Sequence, residues 1–215
     1  MIEIRNMFPE GTPTRRVIDY AMNEFFHKGV RQVTMDDIAK GLQMSKRTLY
    51  QLFADKEQLI IACIEVLAER EQRLAVALIE EKRNVLEIIL RIAEHRLKCL
   101  KDISIAYVAD ITRYKSVMEF IEMARKESIK RAVAFFKQGA DNGLFRSDVN
   151  FDIVMNSMVQ KMDNVVHSYT TNHYPARDCF INEVLFHLRG CCTSKGIELI
   201  DTFIERYKKE FNINA

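Results

Sequence analysis

The stretch TMDDIAKGLQMSKRTLYQLF, residues 34–53, constrains this chain more than any other. Met35, Ile38, Ala39 and Leu42 recur at the spacing of one apolar helix face. Thr34 precedes them, and a threonine there caps a helix by accepting a bond from a free first-turn amide. Asp37, three residues on, can accept a bond from the Thr34 amide in return, as the acid of a capping box does. Residues 41–44 break the pattern. Ser45 is then a second cap, and Leu49, Leu52 and Phe53 give a second short helix its buried side. Lys46, Arg47, Thr48, Tyr50 and Gln51 make up its polar side. Two short helices joined by a tight turn, with cations and amides at the start of the second, suit a helix laid in the major groove of DNA.

The residues that carry a family likeness are Thr34, Ile38, Ala39, Ser45, Thr48, Leu49, Tyr50, Phe53, Lys56, Glu57 and Leu59. In this register the stretch resembles the helix-turn-helix of the tetracycline-repressor (TetR) family of bacterial transcription factors. Two positions depart from the family pattern. Gln43 stands at the turn position usually held by glycine, where a left-handed backbone costs a side chain on the order of 1 kcal/mol. Arg47 replaces a small residue, so base preferences of relatives do not carry over there. The rest of the chain matches the family in length and helical character alone.

Composition agrees with a helical protein. Of 215 residues 48% are hydrophobic, and only 7 are glycine and 3 proline, so long stretches lack a helix breaker. The net charge of +2 excludes a polybasic nucleic-acid coat. The segment 14–56 carries eight basic against five acidic side chains, a modest local excess that a specific reader could use. The start MIEIRNMFPEGTPTRR has no apolar run of leader length, and no apolar stretch reaches the ~18 residues of a membrane span. Cys63, Cys99, Cys179, Cys191 and Cys192 show no metal-ligand spacing and are expected as reduced thiols, with a redox role for the adjacent pair left open.

In chain order, residues 1–13 read as a loose arm, and Thr14 is expected to cap a first helix ending before Gly29. Its stripe of Val17, Ile18, Ala21, Met22 and Phe25 would pack on Ile38, Ala39, Leu49 and Phe53. The expected division is an arm over 1–13, a three-helix DNA-binding headpiece over 14–55, and a helical effector-binding and dimerisation domain over 56–215. Asp55 would cap a long fourth helix with Lys56 in its first turn. The fold class is all-α with nine to ten helices. By chemistry, Lys46, Arg47, Thr48 and Gln51 are candidates for base edges, and Thr34, Ser45, Tyr50 and Lys56 for phosphates.

The middle helices hold His95, Tyr107, Tyr114, Phe120 and Phe136. Apolar stripes at helical spacing make ordinary cores, but the resemblance implies a small-molecule effector site in this region, for which these five are the candidates. Val154, Met158, Met162, Val165 and Val166, with Phe180, Val184, Leu185 and Leu188, form wide apolar faces over 151–170 and 176–189. These suit either a core or a two-fold interface, and the resemblance favours a homodimer through those helices. No cofactor, no metal, no membrane partner and no enzymatic activity are expected. Glu24-x-x-His27 lacks the second copy a di-iron bundle requires, and the Glu183/His187 pair lacks a third ligand. The expected function is a cytoplasmic, nucleoid-bound dimer that binds a pseudo-palindromic double-stranded operator and is released by an unidentified small molecule. The alternatives are a helical small-molecule-binding protein with a vestigial DNA head and a helical-bundle metalloenzyme.

Overall fold

A computed structural model describes residues 7–100, 102–171 and 174–210, and among these it contains ten helices and no strand, counting residues 176–190 as one helix. They are α1 (Pro13–Lys28), α2 (Met35–Gly41), α3 (Lys46–Leu52), α4 (Lys56–Glu80), α5 (Val85–Leu100), α6 (Ile105–Ile111), α7 (Lys115–Asp141), α8 (Phe151–Thr171), α9 (176–190) and α10 (Ser194–Glu210). Within α9 the stretch Phe180–Leu185 is π-helical, and the Phe186 amide donates to the Ile181 carbonyl. The all-α expectation holds. The first six residues of the expected arm lie outside the described residues.

Local chemistry sets most helix ends. The α1 cap is Thr12 and not Thr14, because Pro13 already occupies the first helical position. Proline has no amide to satisfy there and its φ is preset for a helix. The Thr12 hydroxyl oxygen accepts from the Arg15 amide at 3.2 Å. Asn84 opens α5 and Asn150 opens α8, their side-chain oxygens accepting from the Glu87 amide at 2.9 Å and the Ile153 amide at 3.3 Å. Lys82, with φ of 56°, ends α4 by a left-handed turn in which the Arg83 amide donates to the Leu78 carbonyl at 3.1 Å.

The chain forms two compact units. The first comprises the residues up to Ala77 together with Lys98–Ala124. Its core brings Val17, Ile18, Ala21 and Phe25 of α1 against Ile38 of α2, Leu49 of α3 and Leu59 and Ile60 of α4. Tyr107 of α6 and Val117 of α7 close it. The second unit comprises Leu78–Leu97 and the residues from Arg125 onward. Phe136, Phe145 and Phe151 cluster there, with the first two rings stacked 4.7 Å apart. The α7–α8 loop is tied to the α9–α10 loop: the Arg146 amide donates to the Cys191 carbonyl at 2.9 Å, and the Thr193 amide to the Leu144 carbonyl at 3.1 Å. Burial pushes the Cys192 thiol up to about 12, so it is held protonated, and it donates to the Leu188 carbonyl. No described helix is long and apolar enough to cross a membrane.

Gln43 adopts φ of 53°, the left-handed conformation expected of it. The Met44 amide donates across this turn to the Ala39 carbonyl at 2.9 Å. Exposed and without a side-chain role in the turn, Gln43 bears the steric cost of its Cβ with no compensating contact. Gln43→Gly is expected to raise the unfolding free energy by about 0.5–1 kcal/mol, read as a higher urea midpoint at unchanged slope.

Candidate nucleic-acid interface

The reader is built from one reciprocal cap, one single cap and one buried side chain. The Thr34 hydroxyl oxygen accepts from the Asp37 amide at 3.1 Å, and the Asp37 carboxylate accepts from the Thr34 amide at 2.9 Å. The two thereby form the capping box the sequence suggests. The Thr34 bonds hold the Asp37 carboxyl below its ordinary value. A carboxyl lowered on folding contributes stability above its unfolded value near ~3.9, which is lost as pH falls through the lower folded value. Ser45 caps α3, its hydroxyl oxygen accepting from the Thr48 amide at 3.0 Å while the two hydroxyls lie 2.7 Å apart. Leu49 is the one buried residue of α3 and is fully enclosed in the core of the first unit. Burying such a side chain stabilises by about 1.5–3 kcal/mol, which is what fixes a seven-residue helix too short to persist alone.

With Leu49 directed inward, Ser45, Lys46, Arg47, Thr48, Tyr50 and Gln51 are all exposed on the other sides of α3. Tyr50 is 48% exposed. Lys46 forms an ion pair with Asp36 of α2. Arg47 has no ion-pair partner among the described residues, so its guanidinium is available for a bidentate contact. Lys56 lies differently from the rest of the candidate set. Its ammonium turns inward, donates to the Val30 carbonyl, and sits 5.8 Å from the centre of the Phe25 ring. Partial burial lowers its pKa. Asp55 caps α4 as expected, accepting from the Gln58 amide at 2.8 Å.

α1 is fastened to α4 by charge. The Arg15 side chain, 5% exposed, donates to the Phe8 carbonyl at 3.0 Å, pairs with Asp19 at 3.2 Å, and lies 3.9 Å from Glu69. Glu69 is itself buried and pairs with Arg73 at 2.6 Å, and Arg70 reaches Asp19 at 2.8 Å. Sequence reading missed this network, because its α1 and α4 members stand some fifty residues apart.

The five effector-site candidates are divided between the two units. Tyr107 is buried in the first unit, its ring edge-on to Phe26 at 4.9 Å, and Tyr114 is half-buried against the same core. Phe120 is a half-buried residue of that unit. His95 is half-buried in the second unit, where Phe136 belongs to the phenylalanine cluster. An open cleft in the second unit is lined instead by Asn84, Asn142, Leu144, Lys195, Glu198 and Thr202, among others. On the faces expected for assembly, Met158, Val165, Phe180, Val184, Leu185 and Leu188 are already buried within the single chain. Ile153 and Phe186 remain 68% and 67% exposed. Glu183 pairs with Lys161 and Glu24 with Lys28. No group of three potential metal ligands occurs among the described residues.

A three-helix headpiece with a capped, solvent-facing second helix of a helix-turn-helix defines a DNA-binding protein of the all-α class. Residues 17–63 match the profile of the bacterial regulatory proteins of the tetR family. No curated protein matches the chain in sequence. Solved structures match it in fold. SmeT, the repressor of the Stenotrophomonas maltophilia multidrug efflux pump SmeDEF, is 13% identical with a TM-score of 0.68, covering 86% of this chain and 92% of its own. The fatty acid degradation regulator FadR from Bacillus halodurans is 18% identical with a TM-score of 0.67, covering 85% and 96%. The ketosteroid transcriptional regulator KstR2 of Mycobacterium tuberculosis is 20% identical with a TM-score of 0.58, covering 89% and 100%.

Because Arg47 is exposed and without an ion-pair partner among the described residues, while Lys46 is paired with Asp36, Arg47 is expected to contribute most to base discrimination. Arg47→Ala is expected to cost about 1–3 kcal/mol in specific binding and to relax preference at one base pair. Sequencing of duplexes selected by the variant and by the parent protein measures both effects.

Proposed function

We propose that the chain is a sequence-specific DNA-binding transcriptional regulator that acts as a homodimeric repressor and is released from its operator by a small molecule. The observation that carries this reading is the presentation of α3. Its single buried residue faces the headpiece core, and its polar residues are delivered together to solvent. In this reading Arg47, Gln51, Lys46 and Thr48 approach base edges. Tyr50, Ser45 and Thr34 lie against phosphates, with Lys56 supporting them from behind. A helix this short spans few base pairs, so two headpieces about 34–36 Å apart, on a pseudo-palindrome, supply the specificity one lacks. The reading places the protein in the cytoplasm, on the nucleoid when bound. No cofactor or enzymatic step has a part in it.

Dimerisation is assigned to α8 and α9, where Ile153 and Phe186 offer large apolar side chains to solvent after the chain has buried its own core. Wide exposure of such residues on adjacent packed helices is what a second copy covers. The effector acts by binding the two arrangements of the dimer unequally, and its class stays open, since the structural neighbours are named for a ketosteroid, fatty acid degradation and multidrug efflux.

Selection of random duplexes by the purified protein tests the reading. An inverted repeat with half-sites one helical turn apart is the expected product, and a folded dimer that enriches nothing would argue for a vestigial head. Phe186→Asp is expected to shift the protein toward monomer in sedimentation at micromolar concentration. It should also weaken binding to the full repeat far more than to a half-site.

A further inference from the structure

The connection between α1 and α2 is gripped through its backbone by two elements remote in sequence. Phe25 to Lys28 closes α1, and Gly29 follows with φ of 85°. The Arg31 amide donates to the Asp110 carboxylate at 2.8 Å, and the Val30 carbonyl accepts from the Lys56 ammonium. Asp110 lies near the end of α6 and is 9% exposed. At the other end of α6, the Ser104 amide donates to the Phe26 carbonyl at 2.8 Å, and Tyr107 abuts Phe26. A Cβ added to Gly29 would stand 2.8 Å from the Ala106 Cβ and 3.0 Å from an Asp110 carboxylate oxygen. α6 thus lies directly on this turn, with no room for a side chain between them. Val30 and Val33 on either side of Arg31 are fully buried, so the turn cannot move without its neighbours.

We infer that Asp110 is a positioning residue for DNA reading: its carboxylate, by holding the Arg31 amide, fixes the α1–α2 turn and through it the placement of α2 and α3. The inference rests on the DNA-binding function proposed above. The carboxylate suits the task, because a charged acceptor bonds an amide more strongly than a neutral one. Its burial suits it too, since water cannot take its place without opening the α6–turn contact. Arg31 itself contributes only a backbone amide, so the grip is independent of which side chain stands there.

The test compares Asp110→Ala and Asp110→Asn with the parent protein, on the duplex selected by the parent and on a scrambled duplex of equal length. Enrichment by the parent establishes reading on its own, so a failure there is separate from a failure of this inference. With Asp110→Ala folded and dimeric, affinity for the selected duplex is expected to fall about tenfold with little change on the scrambled one, because phosphate contacts do not need the precise placement of α3. Asp110→Asn keeps the shape and an acceptor oxygen, and is expected to recover most of the loss. Exchange of the Arg31 amide with solvent deuterium should quicken in the order parent, Asn, Ala. Specific affinity unchanged in Asp110→Ala, or reduced equally on both duplexes, would overturn the inference. Should the alanine variant fail to fold, Asp110→Leu, which keeps the volume without an acceptor, takes its place: a selective loss on the selected duplex with faster Arg31 exchange supports the inference, and parental behaviour in both readouts overturns it.

Discussion

The first unit depends on the seating of Leu49. α3 is seven residues long and holds one fully buried side chain, which with half-buried Leu52, the buried Phe53 that follows and the Ser45 cap sets its orientation. Leu49 in turn needs Ile18, Phe25 and Ile38 to be in place, which makes the reader a consequence of how α1 and α2 cross. Propensity contributes little at this length, and tertiary packing decides. The charged fastening of α1 to α4 belongs to the same logic. Arg15 and Glu69 are both buried, and each keeps a second charged partner, Asp19 for Arg15 and Arg73 for Glu69, so neither charge depends on their 3.9 Å approach alone. The network therefore holds the helix on which Leu49 packs.

Much of this was legible in the sequence because its causes are local. The Thr34–Asp37 box, the Ser45 cap, the left-handed Gln43 and the Asp55 cap each involve residues within a few positions of one another, and each has the geometry the residue types demand. The Thr12 cap was misplaced by two residues because proline at the first helical position outweighs a nearby threonine. The stripe of α1 gave its buried face correctly, since a 3.6-residue period needs no knowledge of what lies opposite.

What stayed hidden depends on distant partners. The sequence places a lysine at the start of α4 but does not show that its ammonium meets the Val30 carbonyl and the Phe25 ring. Asp110 sits 79 residues from the amide it holds, and nothing in its neighbourhood in the sequence marks it. The same is true of the effector candidates. Spacing can place Tyr107 on an apolar face but cannot say that Phe26 is what it meets. The wide apolar faces of α8 and α9 could serve a core or an interface. The structure divides them, with Met158, Val165 and Leu188 inside and Ile153 and Phe186 outside.

The pairing of Lys46 with Asp36 bears on how strongly salt would govern binding. A cation that stays beside a carboxylate neutralises less phosphate charge and so releases fewer condensed ions from DNA than a free one. Lys56, committed to a carbonyl, is similarly withdrawn. The headpiece thus carries more lysine than its electrostatic attraction to a duplex would suggest. In the proposed reading, affinity shifts from counterion release toward fitted contacts assigned to Arg47 and Gln51, and such contacts discriminate between sequences where diffuse charge cannot.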